Sequence, residues 1–204
     1  MMRSFLYLIG IMLNASVVCA QEQSSIIAAY QESYILEDSG KYIKAIQPLM
    51  VYYEKDSYEL NIRIGWLYYN AGNYPSSRRY YMVATKLLPY SIEAKLGLAL
   101  PLSGLGNWGQ VIDLYQEVLN IDPNKSLVNY RLGSIYYYRQ EYDLAFNFLE
   151  RVVNQYPMDY DSVILFAWTN LKLSKLREAK ILFKKALLLH PDAESPQEGL
   201  KLIQ

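Results

Sequence analysis

Residues that build metal sites, disulfides and charged tails are scarce in this sequence of 204 residues. One Cys and one His are too few for a zinc site or an internal disulfide. Lys and Arg number 20, and Asp and Glu also 20, so no net charge directs the chain toward nucleic acid. Hydrophobic residues reach 52% and charged residues only 20%, which excludes an acidic or basic disordered tail and favours a folded, soluble chain. Tyrosine is abundant, with 21 residues against 5 Phe and 3 Trp. We therefore expect a folded chain without a metal or another cofactor.

The first twenty residues have the pattern of a secretory signal peptide. Arg3 is their only charge, and the apolar stretch that follows it runs from Phe5 to Val18. This stretch is too short to span a bilayer comfortably, so we expect no transmembrane segment in the mature chain. We predict cleavage after Ala20 and export to the periplasm. Lipid anchoring through Cys19 and secretion from the cell are the alternatives.

Prolines recur at an interval of 34 residues, at Pro89, Pro123, Pro157 and Pro191. Other positions repeat with the same period, which predicts a stack of similar helical units. A large residue stands eight positions before each proline: Tyr81, Tyr115, Leu149 and Phe183. A small residue stands 24 positions before each: Gly65, Ala99, Gly133 and Ala167. These small residues let paired helices approach closely, and the large side chains fill the space beside them.

Each unit resembles the tetratricopeptide repeat, a helix–turn–helix of this length. The unit 58–91 carries the resemblance best, with Gly65, Tyr68, Tyr81, Ala84 and Pro89 in the expected positions. The resemblance implies an all-α protein, an α-solenoid of about five units in a right-handed superhelix. A short C-terminal helix caps it. Gln140 and Ser174 depart from the pattern, because they replace the glycine of the turn.

The predicted division of the chain follows these repeats. Residues 1–20 form the signal peptide, and residues 21–57 form a degenerate first unit. The further units are 58–91, 92–125, 126–159 and 160–193, and residues 194–204 form the cap. Pro48 and Pro101 fall inside predicted helices, where we expect tolerated kinks.

Catalytic motifs do not fit this sequence. Residues 104–109 match the pattern G-x-G-x-x-G, but a helix is predicted before them where a dinucleotide site needs a strand. His190 stands alone at a helix end, without Asp or Cys at ligand spacing. We therefore predict no enzyme activity and no catalytic, cofactor-binding or metal-binding residue.

In tetratricopeptide arrays, the first helices of successive units line a concave face that binds partners. The resemblance implies that this face carries Tyr30, Tyr34, Ile62, Trp66, Tyr69, Leu96, Leu100, Tyr130, Arg131, Tyr138 and Trp168. Tyrosine and tryptophan suit recognition surfaces because they supply contact area at little rotamer cost. We expect about half of the rings on this face to be buried between helices.

Some relatives grip a peptide carboxylate with paired Lys and Asn, but here the equivalent positions are mostly apolar. Arg63 and Arg131 remain, and two interpretations stay open for them: a pair with an acidic group of a partner, or a salt bridge within the array, for instance to Glu59 or Glu93. The predicted function is a non-catalytic scaffold in the cell envelope that binds a peptide or a partner helix. The alternatives are an assembly factor for an outer-membrane complex and a binding protein for an apolar small molecule or lipid fragment. No nucleic-acid partner is expected, and the sequence leaves the oligomeric state open.

Overall fold

The computed structural model describes residues 24–203, so the predicted signal peptide and Cys19 lie outside the described residues. The described part of the chain forms eleven helices and no strand. The first, α1, covers residues 24–38. The others are α2 (Tyr42–Met50), α3 (Tyr58–Asn70), α4 (Tyr74–Leu87), α5 (Ile92–Gly104), α6 (Trp108–Ile121), α7 (Ser126–Tyr138), α8 (Tyr142–Gln155), α9 (Tyr160–Lys172), α10 (Leu176–Leu189) and α11 (Glu194–Lys201).

In three repeat units, a short polar residue precedes the first helix and caps it. Ser57, Ser91 and Asp159 each accept a hydrogen bond from the backbone N–H three residues later. This N-cap satisfies a donor that has no partner within the helix. The four repeating prolines lie in the turns between one helix pair and the next, where a proline does not interrupt a helix.

A left-handed residue ends each turn inside a helix pair. Gly72 and Gly106 have φ of 73° and 72°, which glycine adopts without steric cost. Gln140 and Ser174 occupy the same position in later units with φ of 63° and 60°. The turn is therefore kept where glycine is absent, at a cost in backbone strain.

The described chain divides into two compact units. The first ends at Val111 and the second begins at Ile112, inside α6. In the first unit, α3 packs against α2, α4 and α5, and in the second, α9 packs against α7, α8, α10 and α11. Pro101 lies buried inside α5, and the helix continues through it to Gly104.

Each unit has its own apolar core. In the first, buried residues of α2 and α3 meet the ring of Tyr80: Ala45, Ile46, Leu49, Leu60, Ile64 and Leu67. In the second, one cluster centres on Leu149 and Phe166, and a smaller one on Phe183. Burying each large apolar side chain contributes about 1.5–3 kcal/mol to folding. The helix faces predicted by the repeat are thus the faces that form the cores.

Candidate functional site

Four predicted partner-binding rings of the first unit form a connected surface, which we call the Trp66 patch. It consists of Tyr30 and Tyr34 on α1 and of Trp66 and Tyr69 on α3. Spacings of three and four residues place each pair on one helix face. The ring centroids are 6.5 Å apart for Tyr30 and Tyr34, and 6.1 Å apart for Trp66 and Tyr69. Tyr34 and Trp66 are exposed, and Tyr30 and Tyr69 are half-buried.

A buried arginine links the two halves of the Trp66 patch. Arg63 is 7% exposed, forms an ion pair with Glu37, and donates from Nη2 to Ser33 Oγ at 3.1 Å. Its guanidinium lies over the ring of Tyr34, 3.9 Å from the centroid. Trp66 Nε1 donates to Glu37 Oε1 at 2.6 Å. These bonds fix the orientation of Tyr34 and Trp66 before any partner arrives.

Arg63 forms a salt bridge within the array, which was one of the two interpretations of the sequence, but its partner is Glu37 at the end of α1 and not Glu59 or Glu93. Ser33 and Glu37 are four residues apart, so they share a face of α1 and reach Arg63 together. The spacing of Ser33 and Glu37 could be seen in the sequence. The sequence did not show which carboxylate the long side chain of Arg63 would reach.

Two buried donors of the Trp66 patch lack a hydrogen-bond partner among the described residues. They are Arg63 Nε and the hydroxyl of Tyr30. Burial, and next the charge of Glu59, raise the pKa of Tyr30, so this hydroxyl stays protonated at neutral pH. Leaving such donors unpaired costs stability.

The other predicted residues of the first unit are Ile62 on α3 and Leu96 and Leu100 on α5. All three are half-buried. No ring contact or hydrogen bond connects their side chains to the Trp66 patch within the described residues. They remain predicted contact residues of apolar character.

In the second unit, the predicted residues have separate surroundings. Arg131 Nη1 donates to the hydroxyl of the buried Tyr115 at 3.2 Å. Trp168 Nε1 donates to Ser195 Oγ at 2.9 Å, and its ring meets Phe183 edge-on. Tyr138 is largely exposed. Arg131 and Trp168 therefore both support packing within this unit.

Tyr130 of the second unit lines a cavity of about 340 Å³. The cavity also contains Leu127, Tyr156, Asp159 and Asp161. Burial, followed by the charges of Asp161 and Asp159, raises the pKa of Tyr130. Its hydroxyl therefore stays protonated at neutral pH and faces an acidic surrounding.

The expectation that about half of the rings would be buried is wrong. Every ring among the predicted residues is half-buried or exposed: Tyr30, Tyr34, Trp66, Tyr69, Tyr130, Tyr138 and Trp168. Three of these rings still pack against a core with part of their surface: Tyr30 in the first unit, and Tyr130 and Trp168 in the second. The rings that are fully buried belong to other positions, such as Tyr81 and Phe183.

A second surface feature of the first unit was not predicted from the sequence, and we call it the basic cleft. It is an open cavity of about 1100 Å³ beside α4 and the segment before α3. Its cations are Lys55, Arg78, Arg79 and Lys86, and Asp56 is its single acidic residue. The apolar part of its lining is Tyr53, Pro75, Tyr80, Met82, Val83 and Leu87.

Residues 24–203 contain no group of three or more side chains that could hold a metal ion. His190 packs against the ring of Tyr160 instead, with centroids 4.3 Å apart. In the G-x-G-x-x-G match, Gly104 ends α5, Gly106 lies in the turn that follows, and Gly109 lies in the first turn of α6. None of the described helices is long and apolar enough to cross a membrane.

Helix pairs that repeat every 34 residues define an α-helical repeat protein. Residues 128–157 match the family model of the tetratricopeptide repeat. The fold is similar to that of MamA from Desulfovibrio magneticus, with a TM-score of 0.67 and 22% identity over 74% of this chain and 84% of that chain. It also resembles a tetratricopeptide repeat protein from Parabacteroides merdae, with a TM-score of 0.75 and 17% identity over 88% and 72%.

A third similar structure is that of YrrB, described as a tetratricopeptide repeat protein with an unusual peptide-binding site. Its TM-score is 0.71 at 14% identity, and the match covers 91% of this chain and 97% of that one. At these identities the similarity shows the fold. The chain therefore has the all-α solenoid fold of tetratricopeptide repeat proteins, which confirms the fold class predicted from the sequence, and residues 128–157 match the repeat itself.

One curated relative is the human protein O-mannosyl-transferase TMTC1. It is 29% identical over 136 residues, which is 63% of this chain. The chain spans only 15% of the length of that relative. The transferase name therefore belongs to a much longer protein.

Proposed function

We propose that this protein is a non-catalytic scaffold that binds a peptide or a partner helix through the Trp66 patch, on the predicted concave face. The observation that carries the proposal is the support of Trp66 and Tyr34 by the buried Arg63–Glu37 pair. Aromatic side chains that are partly exposed and already fixed lose little conformational entropy on binding. A structural role alone does not require an exposed tryptophan to be held in place.

A peptide partner is also consistent with the chemistry of the Trp66 patch. Rings supply apolar contact, and their hydroxyls and the network around Glu37 supply polar contacts at the edge. YrrB, which shares the fold, is described as having a peptide-binding site. A small apolar ligand is the alternative occupant of this surface, which is separate from the cavity of about 1100 Å³ in the same unit because no ring of the Trp66 patch lines that cavity.

We also propose that the protein works in the cell envelope, in the periplasm. The support is the secretory pattern of residues 1–20 and the absence of cysteine from residues 24–204. Assembly of an outer-membrane complex is one role that such a scaffold could have.

The test of the Trp66 patch is selection of peptides from a random library on the chain, followed by affinity measurements. Trp66→Ala should lower the affinity for the selected peptides about tenfold or more, since central aromatic residues contribute most of the binding energy of an interface. Tyr90→Ala, at an exposed tyrosine outside the patch, is the matched control and should change nothing. Equal affinities for the wild type and a folded Trp66→Ala variant would exclude the patch as the binding site.

A further inference from the structure

We propose that the basic cleft is a second docking site, for an acidic peptide segment with an apolar anchor, separate from the Trp66 patch. The lining of the cleft shares no residue with the predicted partner-binding residues. It also differs from the patch in chemistry, because cations surround an apolar floor. The proposal does not depend on the function proposed for the patch.

The basic cleft has an excess of positive charge, with four cations and one carboxylate in its lining. Within residues 24–203, none of the four cations forms an ion pair. Arg79 is held by aromatic contacts: its guanidinium lies 4.9 Å from the centroid of the Tyr80 ring, and Nη2 is 3.4 Å from the Tyr80 hydroxyl. A carboxylate that enters the cleft can therefore pair with these cations, because Asp56 is the single acidic residue of the lining.

Ring contacts hold the aromatic part of the floor of the basic cleft. The ring of Tyr80 stacks on Tyr68 and meets Tyr53 edge-on, with both centroid distances 5.5 Å. Its hydroxyl points to Met50 Sδ at 3.9 Å. Met82, Val83 and Leu87 extend this floor with partly exposed side chains. An apolar side chain of a partner would thus meet a surface that needs no rearrangement.

The repeat pattern indicates that the fold does not require these cations. The residues 34, 68 and 102 positions after Arg79 are Asp113, Asn147 and Ile181. Those at the same intervals after Lys86 are Asn120, Asn154 and Leu188. Lys55 stands two residues before the N-cap of α3, where the later units have Pro89, Pro123, Pro157 and Pro191. Arg78 has a cationic counterpart only at Lys180, so no later unit repeats the whole cluster.

The dimensions of the cleft favour a chain segment over a small molecule. Small-molecule pockets typically bury most of the surface of their ligand, whereas this cavity of about 1100 Å³ is open to solvent. A nucleic acid is a less suitable ligand, because single strands bind by stacking bases on exposed aromatic rings. Here the ring of Tyr80 already stacks on Tyr68 and meets Tyr53 edge-on.

The test uses fluorescence anisotropy with a labelled peptide in which a Leu-Phe pair is flanked by Glu on both sides. A neutral counterpart has Gln in place of each Glu, and a labelled single-stranded DNA forms a third arm. The acidic peptide should bind about tenfold or more tightly than the neutral one, and added salt should weaken it. Tighter binding of the DNA, or equal binding of both peptides, would overturn the proposal.

Two sets of variants locate the binding. Combining Arg78→Gln, Arg79→Gln and Lys86→Gln should lower the affinity about tenfold or more. The matched control combines Lys172→Gln, Lys180→Gln and Lys184→Gln, which remove the same charge from exposed positions of the second unit. An equal loss in both variants, with both folded by circular dichroism, would show that net charge alone attracts the peptide.

The apolar anchor and the independence of the two sites have their own controls. Met82→Ala should weaken the acidic peptide, and Met158→Ala, at an exposed methionine of the second unit, should not. Trp66→Ala should leave this binding unchanged. A loss with Trp66→Ala would place the acidic peptide on the Trp66 patch and reject the cleft.

Discussion

The ring of Tyr81 lies so close to the backbone of Gly97 that a Cβ atom at residue 97 would come within 2.2 Å of Tyr81 Cε1. The same ring packs on Gly65, where the corresponding distance is 3.0 Å. Tyr81 belongs to α4, Gly65 to α3 and Gly97 to α5. One buried ring therefore joins three helices across the boundary between two repeats.

Gly97→Ala should lower the free energy of unfolding by about 1–3 kcal/mol, because the methyl group overpacks the site of the Tyr81 ring. Urea denaturation followed by circular dichroism measures this loss. Gly109→Ala is the matched control, since a Cβ at residue 109 meets nothing within 4 Å. The control should cost nothing and should gain up to about 1 kcal/mol from helix propensity. Equal effects of the two substitutions would contradict the close packing.

Gly199→Val should release α11 from the second unit. A Cβ at residue 199 would lie 2.2 Å from Cζ of the buried Phe183, and a branched side chain cannot fit there. We expect loss of hydrogen-exchange protection in residues 194–201 and destabilisation by about 1–3 kcal/mol. Gln197→Val, at an exposed position of the same helix, is the control. Protection that survives in Gly199→Val would show that α11 does not depend on this contact.

Ser174→Gly should raise the free energy of unfolding by about 1 kcal/mol. Ser174 has a φ of 60°, and a left-handed conformation costs a residue with a Cβ about 1–2 kcal/mol, part of which the greater freedom of glycine in the unfolded chain offsets. Gly72→Ala makes the reverse change at the same turn position and should lower stability. The denaturation midpoints of both variants test whether the two substitutions change stability in opposite directions. A fall in stability for Ser174→Gly would disprove the strain.

Stability should decrease as the pH rises above about 10, the usual pKa of tyrosine. Burial raises the pKa of Tyr81 well above this value, so the folded chain keeps its proton where the unfolded chain loses it. Below pH 10, Tyr81 makes its full contribution to the free energy of unfolding. This contribution is lost as the pH rises from there through the folded-state pKa, by up to about 1.4 kcal/mol per pH unit. Urea denaturation across this range should show a shallower decline for Tyr81→Phe. Identical profiles would remove Tyr81 as a cause.

The positions that the repeat makes periodic could be predicted from the sequence. Tyr81, Ala84 and Ile64 are buried as their helix faces required. The repeat also places the residue 16 positions after each large residue near it in three of the four units. Tyr81 and Phe183 meet Gly97 and Gly199, whereas Tyr115 receives a hydrogen bond from Arg131. The shorter Leu149 shares a core cluster with Leu165.

The candidate sites were less predictable because they depend on long, flexible side chains. Arg63 could reach several carboxylates, and only the packing of α1 on α3 selects Glu37. The repeat predicted that Arg131 lies on the partner-binding face, yet its guanidinium donates a hydrogen bond to the hydroxyl of Tyr115 within the unit. The basic cleft combines the segment before α3 with one face of α4, and periodicity cannot reveal a feature present in a single unit.

The indole N–H signals of Trp66, Trp108 and Trp168 in an NMR titration test the central claim most directly. Trp66 lies in the patch and is 37% exposed, and Trp108 lies outside the predicted surface and is 45% exposed, so the chain contains its own control. On addition of a library-selected peptide, the Trp66 signal should shift because its bond to Glu37 lies at the binding surface. The Trp108 signal should stay in place. A shift of Trp108 with an unchanged Trp66 would contradict the proposed binding surface.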